Sequence, residues 1–136
     1  MLQSEICAEL AKTLPIKETK YQYARVALSL SEQATSMFRS LGRFYGVGSS
    51  LLQQGELHVQ FHREIPDVFL LSTAETRFES AYEFLENCEA IPSPANLRMR
   101  LSCCRKLVYL KRDIDSKNEW ANIGSWIHLQ VTHALY

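Results

Sequence analysis

Apolar residues recur at intervals of three and four along most of this chain, the spacing that places them on one face of an α-helix. Leu2, Ile6, Leu10 and Leu14 stand four apart with Pro15 behind them, which predicts a short opening helix ended by the proline. From Lys17 to Tyr45 the stripe Tyr23, Val26, Ala27, Leu30, Ala34, Met37, Phe38, Leu41 and Phe44 predicts one long helix, stopped by Gly46 and Gly48. Further on, Leu71, Ala74, Phe78, Ala81, Leu85 and Cys88 form the clearest periodic run, with Asp67 as its expected N-cap and Pro92 and Pro94 as its breakers. Leu97, Leu101, Cys104 and Val108 mark the next helix, and a second stripe of Met99, Cys103, Leu107 and Leu110 implies burial over much of its girth. Trp120, Ile123, Ile127, Val131 and Ala134 mark a last one, capped by Asp115 or Ser116.

One stretch breaks the rhythm. Leu57, Val59 and Phe61 alternate with Glu56, His58, Gln60 and His62, the period of a half-buried strand. The preceding SSLLQ supplies a partner through a turn at Gln54-Gly55, which predicts a short β-hairpin around residues 50–63. The helical alternative takes Leu57, Phe61 and Ile65 as its stripe, carries Gly55 inside the helix and leaves Val59 off the face. Pro66 ends either version. Every connection is short and no low-complexity linker divides the chain. The fold expected is therefore mainly α, a single-domain antiparallel bundle of about five helices over residues 1–136, with the hairpin as its one departure.

The 136 residues suffice for one domain with a substantial core. Basic and acidic residues number 15 each, so no overall field draws the molecule to nucleic acid or to an anionic membrane, and charge-driven recognition has to be local. No apolar run approaches the ~18 residues of a membrane span, and Glu5 and Glu9 interrupt the first segment where a signal peptide needs an apolar core. Cys7, Cys88, Cys103 and Cys104 lack a Cys-x-x-Cys pair and fit reduced, structural thiols in a cytoplasmic protein.

Charge is nevertheless segregated. Glu75, Glu79, Glu83 and Glu86 run along one helix at intervals of four, four and three, on the side away from Leu71, Phe78 and Leu85. The following helix carries Arg98, Arg100, Arg105, Lys106, Lys111 and Arg112 with no acid before Asp113. The two helices either pair through these charges or present them to partners, and two patches of opposite sign also allow a homodimer. Arg98, Arg105, Lys106 and Arg112 are the expected partner-binding residues, with Trp126, beside the stripe of the last helix, as an aromatic anchor. The alternative is nucleic-acid binding through Arg39, Arg43, Arg98 and Arg105, with Tyr21, Tyr23, Phe44 and Tyr45 available to stack on bases.

Catalytic signatures are sparse. His58 and His62 share a face on a helix or a strand, so a metalloenzyme built on that pair is a third and weaker alternative, but no His-Glu-x-x-His accompanies them and the expected setting is a solvated face. YGVGSSLL, residues 45–52, has two glycines before two serines without the strand-loop-helix context of a phosphate loop, and fits a helix C-cap. Gly-x-Ser-x-Gly and Glu-x-x-His are both missing. The function expected is thus a non-catalytic protein–protein interaction module without a cofactor, such as an adaptor, assembly factor, inhibitor or immunity-type protein.

Overall fold

The computed structural model describes residues 2–13 and 17–135. Six helices follow one another: α1 (Leu2–Thr13), α2 (Lys17–Ser40), α3 (Phe44–Phe61), α4 (Leu71–Asn87), α5 (Pro94–Leu110) and α6 (Ile114–Leu135), with no strand among the described residues. The helical bundle is as expected; the hairpin is not formed, and residues 50–61 belong to α3 with 62–63 in the turn after it. Leu57, Phe61 and Ile65 are buried, as the helical alternative requires. Val59 finds a different neighbour, packing against the cluster that α5 and α6 share, so two burial faces on one central helix produced the strand-like alternation.

The long helix ends earlier than Tyr45. Gly42 adopts a positive φ of 69°, its N–H donates to the Arg39 carbonyl, and the Arg43 N–H donates to the Phe38 carbonyl at 2.9 Å. These two bonds close a helix C-terminus through a left-handed residue, the conformation glycine adopts without a Cβ penalty. Gly46 and Gly48 stop nothing; they lie within α3. A Cβ on Gly48 would stand 2.6 Å from Leu85, and one on Gly55 would stand 2.7 Å from the Phe78 ring. Glycine costs a helix about 1 kcal/mol relative to alanine, and here it lets the backbone of α3 lie directly against α4.

Contacts fix the directions. Ser31 meets Ser50 and Gln53, and Lys20 meets Glu64 at 2.7 Å, so α2 and α3 are antiparallel. Gly48 against Leu85 and Gly55 against Phe78 reverse α4 on α3. Asn96 bonds the Leu85 carbonyl while Lys111 reaches Glu75, reversing α5 on α4. Gly124 lies against Cys104 and Lys117 bonds the Val108 carbonyl, reversing α6 on α5. α3, α4 and α5 touch pairwise, α2 flanks them beside α3 and α6 beside α5.

Two apolar clusters hold this arrangement. The larger joins α3 to α6 through Phe78, Leu85, Leu101, Leu107 and Ile127. The smaller joins α1, α2, the end of α3 and the following loop through Ala8, Ala24, Ala27, Phe61 and Phe69. Between α2 and α3 the seam is polar: Ser31, Thr35, Ser50 and Gln54 are all buried. The Gln54 amide donates to Thr35 Oγ1 at 2.7 Å, and Arg77 from α4 donates to Gln54 Oε1 at 2.9 Å. Each of these four seam side chains therefore has a partner, and the ladder specifies the register of α2 on α3.

Helix starts differ from expectation at two places. α4 begins at Leu71 rather than after Asp67. Asp113, not Asp115 or Ser116, caps α6 by accepting the Ser116 N–H at 3.0 Å. α5 starts with Ser93 accepting the Asn96 N–H at 3.1 Å and Pro94 in the first turn, where its missing N–H costs nothing.

Candidate functional site

α5 turns its apolar stripes to the core cluster and leaves Arg98, Arg105 and Tyr109 exposed. Arg98, Ser102, Arg105 and Tyr109 follow at intervals of four, three and four along one side of the helix, with Lys106 one position round from Arg105. They form one wall of a groove of about 520 Å³ whose opposite side is Val59 of α3. Arg98 and Arg105 are exposed, Lys106 is half-buried, and the Tyr109 ring is 78% exposed. None of the three cations has an ion-pair or hydrogen-bond partner among the described residues. The structure thus brings together three of the four expected basic residues. Arg112 lies beyond the last turn of α5, exposed and outside this groove.

The remaining basic residues of α5 are otherwise engaged. Lys111 bonds Glu75 at 2.6 Å and also Glu79, and those two carboxylates hold its ammonium above the usual lysine range. Half of the acidic stripe therefore faces α5 rather than solvent, while Glu83 and Glu86 are exposed. Arg100 is only 6% exposed. Its guanidinium lies 5.2 Å from the Tyr82 ring centroid and donates to the Tyr82 hydroxyl at 3.2 Å. Burial raises the Tyr82 phenol above its ordinary range, against the pull of Arg100.

A second groove, of about 590 Å³, runs between α5 and α6 along Leu101, Val108, Trp120, Gly124 and Leu129. Arg105 lines both grooves and forms the ridge between them. Trp120, placed in the core from its position on the stripe, stands edge-on to Tyr82 at 5.2 Å and is also the aromatic wall of this groove. Trp126 is 55% exposed and lines neither groove. Sequence periodicity gives no sign of the groove, because Ala121, Gly124 and Ser125 make it by being small, not by carrying chemistry.

Arg39 and Arg43 stand elsewhere. Arg39 lies over the Phe84 ring at 5.5 Å, and Arg43 lines a groove near the α2–α3 turn that also contains Glu89. The basic set expected for nucleic acid is therefore divided between two places, one of mixed charge. Of its proposed stacking aromatics, Phe44 is stacked on Phe84 and Tyr45 packs against the core.

The histidine pair serves the chain itself. His58 is 5% exposed rather than solvated. Its Nδ1 accepts the Leu70 N–H at 3.1 Å, which caps α4 at a position where Leu70 supplies no side-chain acceptor. His62 Nδ1 lies 2.9 Å from the Phe69 carbonyl, to which it donates. Burial, then the charge of Arg77, lowers the His58 pKa from 6.5 to about 4, so its ring is neutral at pH 7 and free to accept. Among the described residues no three His, Cys, Asp or Glu side chains gather as a metal site. YGVGSSLL is helical from Phe44 onward and offers no phosphate loop.

Cys103 and Cys104 are buried, and burial raises both thiols, Cys104 to about 11. No described helix is long and apolar enough to cross a membrane. No family model, curated protein or solved structure matches the chain.

Proposed function

We propose that the protein is a helical interaction module whose working surface is the outer face of α5, where it binds an acidic segment of another protein. The observation that carries this is the state of its cations: Lys111 is ion-paired with Glu75 and Glu79, whereas Arg98, Arg105 and Lys106 have no such partner among the described residues and stand around one groove. Like charges held close without counterions repel each other, and a carboxylate-bearing partner relieves that repulsion while Val59 and Leu110 offer it apolar contact. Tyr109, a side chain favoured in interfaces, extends into solvent beside them. Charge complementarity of this kind sets encounter rate and orientation.

The test is photocrosslinking in the protein's own cells from a benzophenone side chain at position 109. The expected result is a protein adduct that is lost on Arg98→Glu, Arg105→Glu and Lys106→Glu together. An adduct to nucleic acid, an adduct indifferent to charge reversal, or no adduct overturns the proposal.

A further inference from the structure

We infer that the segment received by this surface is an acidic amphipathic helix, lying along α5 with its carboxylates on Arg98, Arg105 and Lys106 and its apolar face in the α5–α6 groove. The inference rests on the function proposed above and goes further, because it adds the second groove and fixes the conformation of the occupant. Arg98 and Arg105 are seven residues apart on one helix, an axial separation of about 10 Å. A helix laid alongside spans that distance in two turns, so acids at i and i+7 present the same face to both cations. An extended segment covers it in about three residues, and side chains three apart on a strand point to opposite sides. Same-face side chains on a strand stand about 7 or about 13 Å apart, so two turns of a helix match the spacing of the cations more closely than a strand does.

Apolar chemistry lies next to the charges. Arg105 belongs to both grooves, so an occupant with its acids on Arg105 has its neighbouring face over the channel between Trp120 and Leu129. At Gly124 a Cβ would lie 3.3 Å from the Cys104 Cβ, which shows how closely α6 approaches α5 there. Ala121 and Ser125, on the same helix, do not fill the space above. Leu129 is 56% exposed at the edge. Apolar side chains at three-and-four spacing entering such a groove is a recurrent mode of helix recognition.

A second copy of this chain is the less suitable occupant. The acidic stripe of this chain lies on α4, where Glu75 and Glu79 are already bound to Lys111.

The experiment is fluorescence anisotropy with the full chain and a labelled synthetic helix of about 18 residues, built from Leu, Ala and Glu with acids on one edge. Controls are the same composition scrambled so that no face forms, the helix with Lys for Glu, and single-stranded oligothymidine. The acidic helix is expected to bind at least tenfold tighter than the scrambled peptide. Ala121→Gln, Ser125→Gln and Leu129→Gln together, all exposed positions, fill the groove with neutral polar bulk and are expected to weaken the helix at least tenfold while leaving the scrambled peptide unchanged. Equal binding of helix and scrambled peptide overturns the helical occupant and leaves the basic groove standing. Failure of both acidic peptides to bind, or preference for the Lys helix or oligothymidine, overturns the inference together with the function it rests on.

Discussion

Replacing His58 with asparagine gives the sharpest test of how the α3–α4 connection is held. The ring is buried, accepts the Leu70 N–H through Nδ1 and has its pKa lowered from 6.5 to about 4. Protonation at Nδ1 removes that acceptor and places a cation beside Arg77. Because the folded pKa lies below the unfolded one, the unfolded chain takes up protons first as pH falls. The contribution is therefore complete above pH 6.5 and is lost between 6.5 and about 4. Each tenfold difference in proton affinity is about 1.4 kcal/mol, so the whole interval amounts to about 3.4 kcal/mol, of which about 1.4 is lost by pH 5.5. Asparagine keeps an acceptor near the Nδ1 position but does not titrate. It also gives up the contact between the His58 and Phe69 rings, 5.5 Å apart, so His58→Asn should be less stable at about pH 8 by ~1–2 kcal/mol. Urea unfolding across the pH range reads both effects. The wild type should lose about 1.4 kcal/mol more than His58→Asn on going from about pH 8 to pH 5.5. Parallel loss in the two proteins refutes the assignment of His58 as a neutral, buried cap.

Other expectations are simpler to state. Gly48→Ala gains up to about 1 kcal/mol of helix propensity, but its Cβ would stand 2.6 Å from Leu85; overpacking should prevail, with a net loss of ~1–2 kcal/mol in chemical denaturation. Arg100→Met removes a buried cation with no carboxylate in bonding distance and an Nε without a partner, and thermal unfolding should show a change within ~1 kcal/mol or a gain in stability. Under native conditions a thiol reagent such as Ellman's should modify the half-buried Cys7 and Cys88 well before Cys103 and Cys104, which are buried and have raised pKa values. All four should react at similar rates in urea; early modification of the adjacent pair in the native protein contradicts its place in the core.

Much of the fold is legible in the spacing of apolar residues. The stripes of α4, α5 and α6 were enough to place Phe78, Leu85, Leu101 and Ile127 in the core, where the structure has them. What spacing hides is the identity of the neighbour. α3 is packed by α2, α4 and α5, so Val59 and His58 are covered from directions its main stripe does not predict. Glycine carries the same ambiguity: Gly42 turns the chain, whereas Gly48 and Gly55 admit a neighbouring helix, and only φ and contact geometry separate the two uses. A stripe of small residues, Ala24, Ala27, Ser31 and Thr35, was available as a sign of the close α2 seam. At the candidate site, the basic character of α5 is evident in the sequence, but which of its cations are already bound is a tertiary fact. Glu75 and Glu79 bind Lys111 and Tyr82 engages Arg100, which leaves Arg98, Arg105 and Lys106 available.

If the proposed function holds, those three side chains hold a protein partner in the cell. Native mass spectrometry at low salt, on wild type and the Arg98→Glu, Arg105→Glu, Lys106→Glu variant isolated from the protein's own cells, tests this most directly. The prediction is an additional protein mass on the wild type that the variant lacks. Bare chains in both preparations, a partner that survives the charge reversal, or bound nucleic acid would contradict it.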